Sequence, residues 1–246
     1  MAPSVASQTK KLLASAIHKN RRRLCEWHLE HARVAPPPFY CSVDLRDSGH
    51  KIVPVDSNLY PAGFNNICPD DLRAAPPVLR AQIEAQASRL GLAHAPKRLL
   101  VIPEAHTSNT YYIENLYYLT QLLSEAGFDV RVGWYGAVPE GQAVPLALKS
   151  ATDKEVLAYP IAINSSTITA GDFEPELVLL NNDFSSGYPK ELDGVKQAIL
   201  PSHTLGWHSR KKSEHFSTTT AWPRSSPKSS ASVSYTHLTL PTNREV

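Results

Sequence analysis

Between residues 98 and 134 the chain alternates short apolar runs with one long amphipathic stretch. Residues 98–103 (RLLVIP) are almost wholly apolar, the pattern of a strand buried on both faces of a parallel sheet. Residues 110–126 set Ile113, Leu116, Leu119, Leu122 and Leu123 on one helical face, and Gly127 marks a stop. Residues 128–134 are again strand-like. Strand, helix and strand in this order predict a βαβ unit with parallel pairing. Residues 154–161 and 176–182 predict two further strands, whereas 137–151 and 164–172 read as connectors. The fold class expected is α/β, with an N-terminal helical segment and a polar loop ahead of a small, mostly parallel sheet.

Upstream, residues 7–33 read as one helix. Leu12, Leu13, Ile17, Leu24, Trp27 and Leu29 give it a rough apolar face, and Pro36–Pro38 stops it. Residues 40–45 and 51–55 are strand-like, joined by the turn chemistry of Arg46-Asp47-Ser48-Gly49. Pro54 argues for an edge or a strand end. From residue 56 the pattern leaves regular structure, with Asp56, Asn58, Asn65 and Asn66 grouped around Pro61 and Gly63. Such a loop either holds a polar ligand or satisfies its own backbone with its Asx side chains. Residues 69–90 predict another helix, with Asp70 and Asp71 suited to its N-terminal dipole.

Ligands of open parallel sheets gather outside the carboxyl ends of the strands. Two polar loops fall there. One holds Glu104, His106 and Asn109, followed by Tyr112 and Asn115 on the first helical turns; the other holds Asn181, Asn182 and Asp183. Each has a plainer reading, the first as a helix cap and the second as a turn. A third segment, with His203, His208, Arg210 and Lys211, is suited to phosphates or carboxylates, or is an exposed helix start. No spacing of His or Cys points to a metal, and no residue presents itself as catalytic.

With 246 residues, 42% of them hydrophobic, the chain can build one sizeable domain. A net charge of +2 gives no push toward nucleic acid. Cys25, Cys41 and Cys68 form no CxxC pair and are odd in number. They predict buried or half-buried free thiols in a reducing compartment, hence a cytoplasmic protein. No apolar run approaches a membrane span. The first twenty-four residues lack acids and carry Ser, Lys and Arg, which suits a transit peptide or a solvated helix face. From residue 216 the chain is rich in Ser, Thr and Pro, with Glu245 its only acid, and predicts disorder.

The segment VDLRDSGHKIVPVDSNLYPAGFNN resembles the signature of a proteobacterial family of glutamate–cysteine ligases. The resemblance continues through IPEAHTSNTYYIENLYYLTQLLSEAGFDVRVGW, LALKSATDKEVLAYPI, ELVLLNNDFSSGYP and ILPSHTLGWHSRKKSEHF, and so covers about residues 36–216. It implies an enzyme that joins L-glutamate to L-cysteine with ATP and Mg2+, the first step of glutathione biosynthesis. It also implies a domain similar to the pre-ATP-grasp domain of ATP-grasp ligases. The organisation that follows is an N-terminal helix and Pro linker (1–38), the signature segment and a helix (39–97), an α/β substrate-binding domain (98–215) and a tail (216–246).

Within this resemblance Arg46 is the candidate for pairing a substrate carboxylate, because its planar fork matches two oxygens. Asp44, Asp56 or Glu104 would hold the cysteine ammonium, and Asn58, Asn65 and Asn66 would orient the substrate through amide hydrogen bonds. His106, Asn109, Asn182 and Asp183 complete the candidate substrate-facing set. No GxxxxGK[ST] or GxGxxG occurs, and the resemblance implies that nucleotide and metal ligands lie downstream. The closing SYTHLTLPTNREV is similar to translated sequencing adapter, so the reading frame is expected to be lost near residue 216 and the chain to be inactive as a ligase by itself. Two other classes accommodate the same loops: a non-catalytic α/β protein that binds an amino acid or peptide, and a doubly wound glycosyl-transfer domain.

Overall fold

The computed structural model describes residues 5–34, 38–47, 52–104, 109–206 and 208–209. The chain divides into two compact units, one of residues 1–35, 45–55 and 210–246, the other of residues 36–44 and 56–209. The tail expected from residue 216 onward lies outside the described residues.

The first unit contains α1 (Val5–Lys19) and α2 (Arg21–Val34) rather than the single helix expected. The break falls at Asn20, whose side-chain amide donates back to the Ala16 carbonyl at 2.8 Å. Such local side-chain bonding competes with the helical ladder. Of the apolar residues read as a packing face, the leucines are exposed, Leu12 at 68% and Leu29 at 63%, whereas Trp27 is half-buried and packs on His31. This unit also takes the tip of a two-stranded sheet formed by β1 (Ser42–Asp47) and β2 (Ile52–Asn58). Pro54 is accommodated because β2 has a partner on one side only. Strand β2 runs three residues further than the pattern suggests, so Asp56 and Asn58 sit on a strand and not in the loop.

In the second unit α3 (Pro69–Arg89) precedes the βαβ core of β3 (Arg98–Pro103), α4 (Thr110–Glu125) and β4 (Asp129–Trp134). There follow β5 (Leu146–Lys149), β6 (Glu155–Asn164), β7 (Thr167–Ala170), β8 (Leu177–Asn181) and β9 (Ala198–Leu200). Strands β5 and β7 lie in segments expected to be connectors; each has only four residues, too short for a clear period. The sheet runs β5-β6-β4-β3-β8-β9, with β7 paired to β6. β3 is parallel to β4 and β8, β4 to β6, and β8 to β9, whereas β5 and β7 pair antiparallel with β6. The mostly parallel α/β sheet read from the sequence is therefore present.

Strand β3 splits its apolar run between two clusters. Leu99 and Val101 join α3, α4 and the alternate residues Leu177 and Leu179 of β8. Leu100 and Ile102 join Val178 and Leu180, together with Ile168, Phe173, Phe184 and Leu192. This explains the near-absence of polar residues in both central strands: each is buried on two faces. All three cysteines are free and exposed, contrary to the buried or half-buried placement expected. Among the described residues no helix is long and apolar enough to cross a membrane.

Helix α4 carries one carboxylate into the interior. Glu114 accepts hydrogen bonds from Thr152 Oγ1 at 2.7 and 2.8 Å and from Lys154 Nζ at 3.0 Å. Lys154 also donates to the Tyr118 hydroxyl at 2.8 Å. Bonds from Thr152 and Ser150, reinforced by Lys154, hold the Glu114 carboxyl down at about 2. Its pKa is thus lower folded than unfolded, and its contribution to stability is complete above about pH 4.3 and lost as pH falls toward about 2. In urea unfolding from about pH 6 to about pH 2.5, the midpoint difference between wild type and Glu114→Gln is expected to shrink across that window. A second expectation concerns packing. Leu116, fully buried on the same helix, is expected to cost about 2–5 kcal/mol on substitution by Ala, read as a lowered urea midpoint at unchanged slope.

Candidate functional site

The order of the strands reverses between β3 and β8. From β3 the chain moves outward through β4 to β6, then returns to place β8 and β9 on the other side of β3. The segments leaving the two strands also diverge. After β3 the chain enters α4, whose apolar face lies in one cluster, while after β8 Phe184 and Leu192 enter the other. A crevice outside the carboxyl ends of such a pair is where open α/β sheets bind ligands. Glu104 directly follows β3, and Asp183 stands two residues after β8.

Residues 60–64 are tied to α4 and to the end of β8 by buried side chains. Asn115 on α4 is 1% exposed, and its Oδ1 accepts the backbone N–H groups of Gly63 at 2.7 Å and Phe64 at 3.0 Å. Its Nδ2 donates to Asn181 Oδ1 at 3.3 Å, and Asn181 Nδ2 donates to the Pro61 carbonyl at 2.8 Å. The Tyr112 hydroxyl lies 2.7 Å from the Asn181 carbonyl and accepts the Glu104 N–H at 2.9 Å. Tyr40 donates to the Leu180 carbonyl and Tyr60 to the Ser202 carbonyl, the latter at 2.7 Å. Burial pushes the phenols of Tyr40 and Tyr112 up, so both keep the proton they donate.

Beside this clamp is a cavity of about 240 Å³ lined by Asp44, Asn58, Glu104 and Asp183, with Ser42, Leu59, Tyr60 and Ala62 between them. It is smaller than the ~300–1,000 Å³ usual for drug-sized ligands, a size for one amino acid rather than a nucleotide. Among the described residues that line it, three are carboxylates and none is Lys, Arg or His. That donor set attracts a cation and repels a triphosphate, so the residues of this cavity do not fit ATP. Among the described residues no group of three His, Cys, Asp or Glu side chains is placed to hold a metal ion.

Four of the residues singled out from the sequence therefore meet in one place: Asp44, Asn58, Glu104 and Asp183. The Asp183 carboxylate also accepts the Ser185 amide at 2.8 Å, which fixes its turn. Asn182 is buried in the wall, donating to the Pro103 carbonyl at 3.1 Å and accepting the Phe184 amide at 2.8 Å. Asn109 is the N-cap of α4, accepting the amides of Tyr111 and Tyr112. Asn65 and Asn66 lie in a short 3-10 turn (Phe64–Asn66) and do not line the cavity. Asp56 accepts the amide of Ser57 at 2.9 Å on β2. Arg46 is exposed on β1 and belongs to the first unit. His208 packs edge-on against Tyr188 at 5.2 Å, next to a His203–Asp193 pair at 3.0 Å. His106, Arg210 and Lys211 lie outside the described residues. Tyr112, Asn115 and Asn181 had been grouped with the polar loops but given no function. The signal for Asn115 is a carboxamide on the helical stripe shared with Tyr112 and Leu119, where an apolar residue would be expected.

A family model for glutamate–cysteine ligase matches residues 14–224. The chain belongs to the glutamate–cysteine ligase family. The crystal structure of a protein from Methylobacillus flagellatus KT, assigned as a γ-glutamylcysteine synthetase, resembles the chain with a TM-score of 0.73 and 32% identity. The alignment covers 91% of this chain and 50% of that one, so the chain spans about half the length of that ligase-family relative. Among curated proteins, none matches the chain. Family membership agrees with the sequence resemblance, which ran through the loop and strands that build the cavity.

The clamp is open to a direct test. Tyr112→Phe removes the hydroxyl that serves both Glu104 and Asn181. It is expected to lower stability by about 1–3 kcal/mol in urea unfolding, because a buried amide and carbonyl lose a partner.

Proposed function

We propose that this chain supplies the amino-acid-binding part of a glutamate–cysteine ligase, which uses ATP and Mg2+ to join the γ-carboxyl of L-glutamate to the amino group of L-cysteine. The observation that carries this reading is the cation-seeking cavity at the β3–β8 switch point, sized for one amino acid and lined by Asp44, Asn58, Glu104 and Asp183. Carboxylates around an ammonium group favour its charged form. In the ligation, the cysteine amine must give up a proton before it can attack, whereas the α-ammonium of glutamate stays charged throughout. The cavity therefore suits the α-ammonium of L-glutamate, with Asp44, Glu104 and Asp183 as its counter-charges and the Asn58 carboxamide as an orienting group.

Arg46 is proposed, from its place in the signature segment, to pair a substrate carboxylate through its two-pronged guanidinium. Asp56, Asn65, Asn66, His106, Asn109, Asn182, His208, Arg210 and Lys211 are retained as motif positions with no assigned contact. ATP and Mg2+ are assigned to other residues of the intact enzyme, since the cavity does not suit a triphosphate. A cytoplasmic location is proposed from three exposed free thiols, which persist in a reducing compartment.

Calorimetric titration tests the reading. L-glutamate is expected to bind, and 2-oxoglutarate, with both carboxylates but no ammonium, to bind at least about tenfold more weakly. Asp44→Asn and Glu104→Gln are each expected to weaken L-glutamate binding by about 1.5–3 kcal/mol, roughly 10- to 100-fold, with little change for 2-oxoglutarate. Equal affinity of the wild-type chain for the two compounds would remove the ammonium assignment. Arg46→Ala is expected to weaken both ligands alike.

A further inference from the structure

We propose that Asn115 is a positioning residue for the ammonium pocket: it fixes the wall formed by residues 60–64 and so sets the selectivity of the cavity. This rests on the glutamate reading above and assigns Asn115 no contact with the substrate. The direction of its hydrogen bonds is forced. The backbone amides of Gly63 and Phe64 can only donate, so Oδ1 of Asn115 must face them. Nδ2 must then face Asn181, whose Oδ1 accepts and whose own Nδ2 is left to meet the Pro61 carbonyl, an acceptor only.

One side chain therefore ties the loop that carries Tyr60 and Ala62 to α4 directly, and through Asn181 to the end of β8. Tyr112 extends the tie to the backbone of Glu104. Walls from three distant parts of the sequence are thereby brought to one spacing. Asn115 and Asn181 are each 1% exposed, so water cannot replace a lost bond without opening the core. If the loop moves, the part of the wall made by Tyr60 and Ala62 moves with it, and a small ammonium group is held less selectively than before.

The test uses this chain, with L-glutamate and 2-oxoglutarate as probes. For Asn115→Ala the ratio of the two affinities is expected to fall at least about tenfold, while far-ultraviolet circular dichroism at 25 °C stays that of the folded chain. A role confined to stability would leave the ratio unchanged in the folded fraction, and that result would overturn the proposal. Asn115→Asp keeps an acceptor for both amides but loses the donor to Asn181 at neutral pH. Its selectivity is expected to lie between those of the wild type and Asn115→Ala, and selectivity no better than that of Asn115→Ala counts against the proposal.

If neither variant folds, amide hydrogen exchange in the wild-type chain decides. Saturation with L-glutamate is expected to slow exchange of the Gly63 and Phe64 amides at least about tenfold beyond the gain in global stability, and no such slowing overturns the proposal. Absence of selectivity in the wild-type chain would instead remove the glutamate reading itself, which keeps the two failures apart.

Discussion

Two buried carboxamides, Asn115 and Asn181, decide where the rest of the site can be. They sit among fully buried Leu, Ile and Val side chains, where an amide without a partner costs about 1–3 kcal/mol. Each can be satisfied only if the segment around Pro61 and Gly63 lies across the carboxyl ends of the two central strands. Apolar packing alone would not select that arrangement, since it is indifferent to direction. Hydrogen bonds are not, and this pair converts a collapsed sheet into one with a single placement for its polar rim.

The cavity obtained in this way is acidic. Asp44, Glu104 and Asp183 line a small space with no basic side chain among the described residues around it. An ammonium ligand would meet charges of opposite sign there. The nearby Glu114 illustrates the opposite arrangement. It is buried on α4, yet Thr152, Ser150 and Lys154 already satisfy it, so it needs no ligand. Burial of acid therefore does not by itself mark a site in this fold.

Much of this was legible in the sequence because the central strands and α4 have strong periods. Residues 98–103 were placed as a strand to the residue, and α4 to within one. Strands β5 and β7 were not found, because four residues of mixed polarity carry little period. The N-terminal helix was read from leucines that the structure leaves exposed, and its interruption arises from a single Asn that bonds backward. For the site, Glu104 and Asp183 were suspected from their position after strands, and Asp44 and Asn58 from the family signature. Their convergence could not be read, because it depends on β8 lying next to β3, a matter of strand order across 79 residues. Asn109 and Asn182 resemble ligand groups by type, but in the structure a helix cap and a wall contact occupy them. Asn115 escaped attention because one carboxamide on an apolar stripe is indistinguishable, without coordinates, from a tolerated substitution.

The amides of Gly63 and Phe64 find their acceptor about 50 residues later, and the Pro61 carbonyl finds its donor 120 residues later. During synthesis the early segment must leave the ribosome with these groups still hydrated and wait for β8 to be made. The pocket is thus among the last features to mature. A nascent chain arrested before residue 181 would have most of its helices yet lack both the Asn181 tie and the Asp183 wall, so the cavity is completed only once β8 has been made.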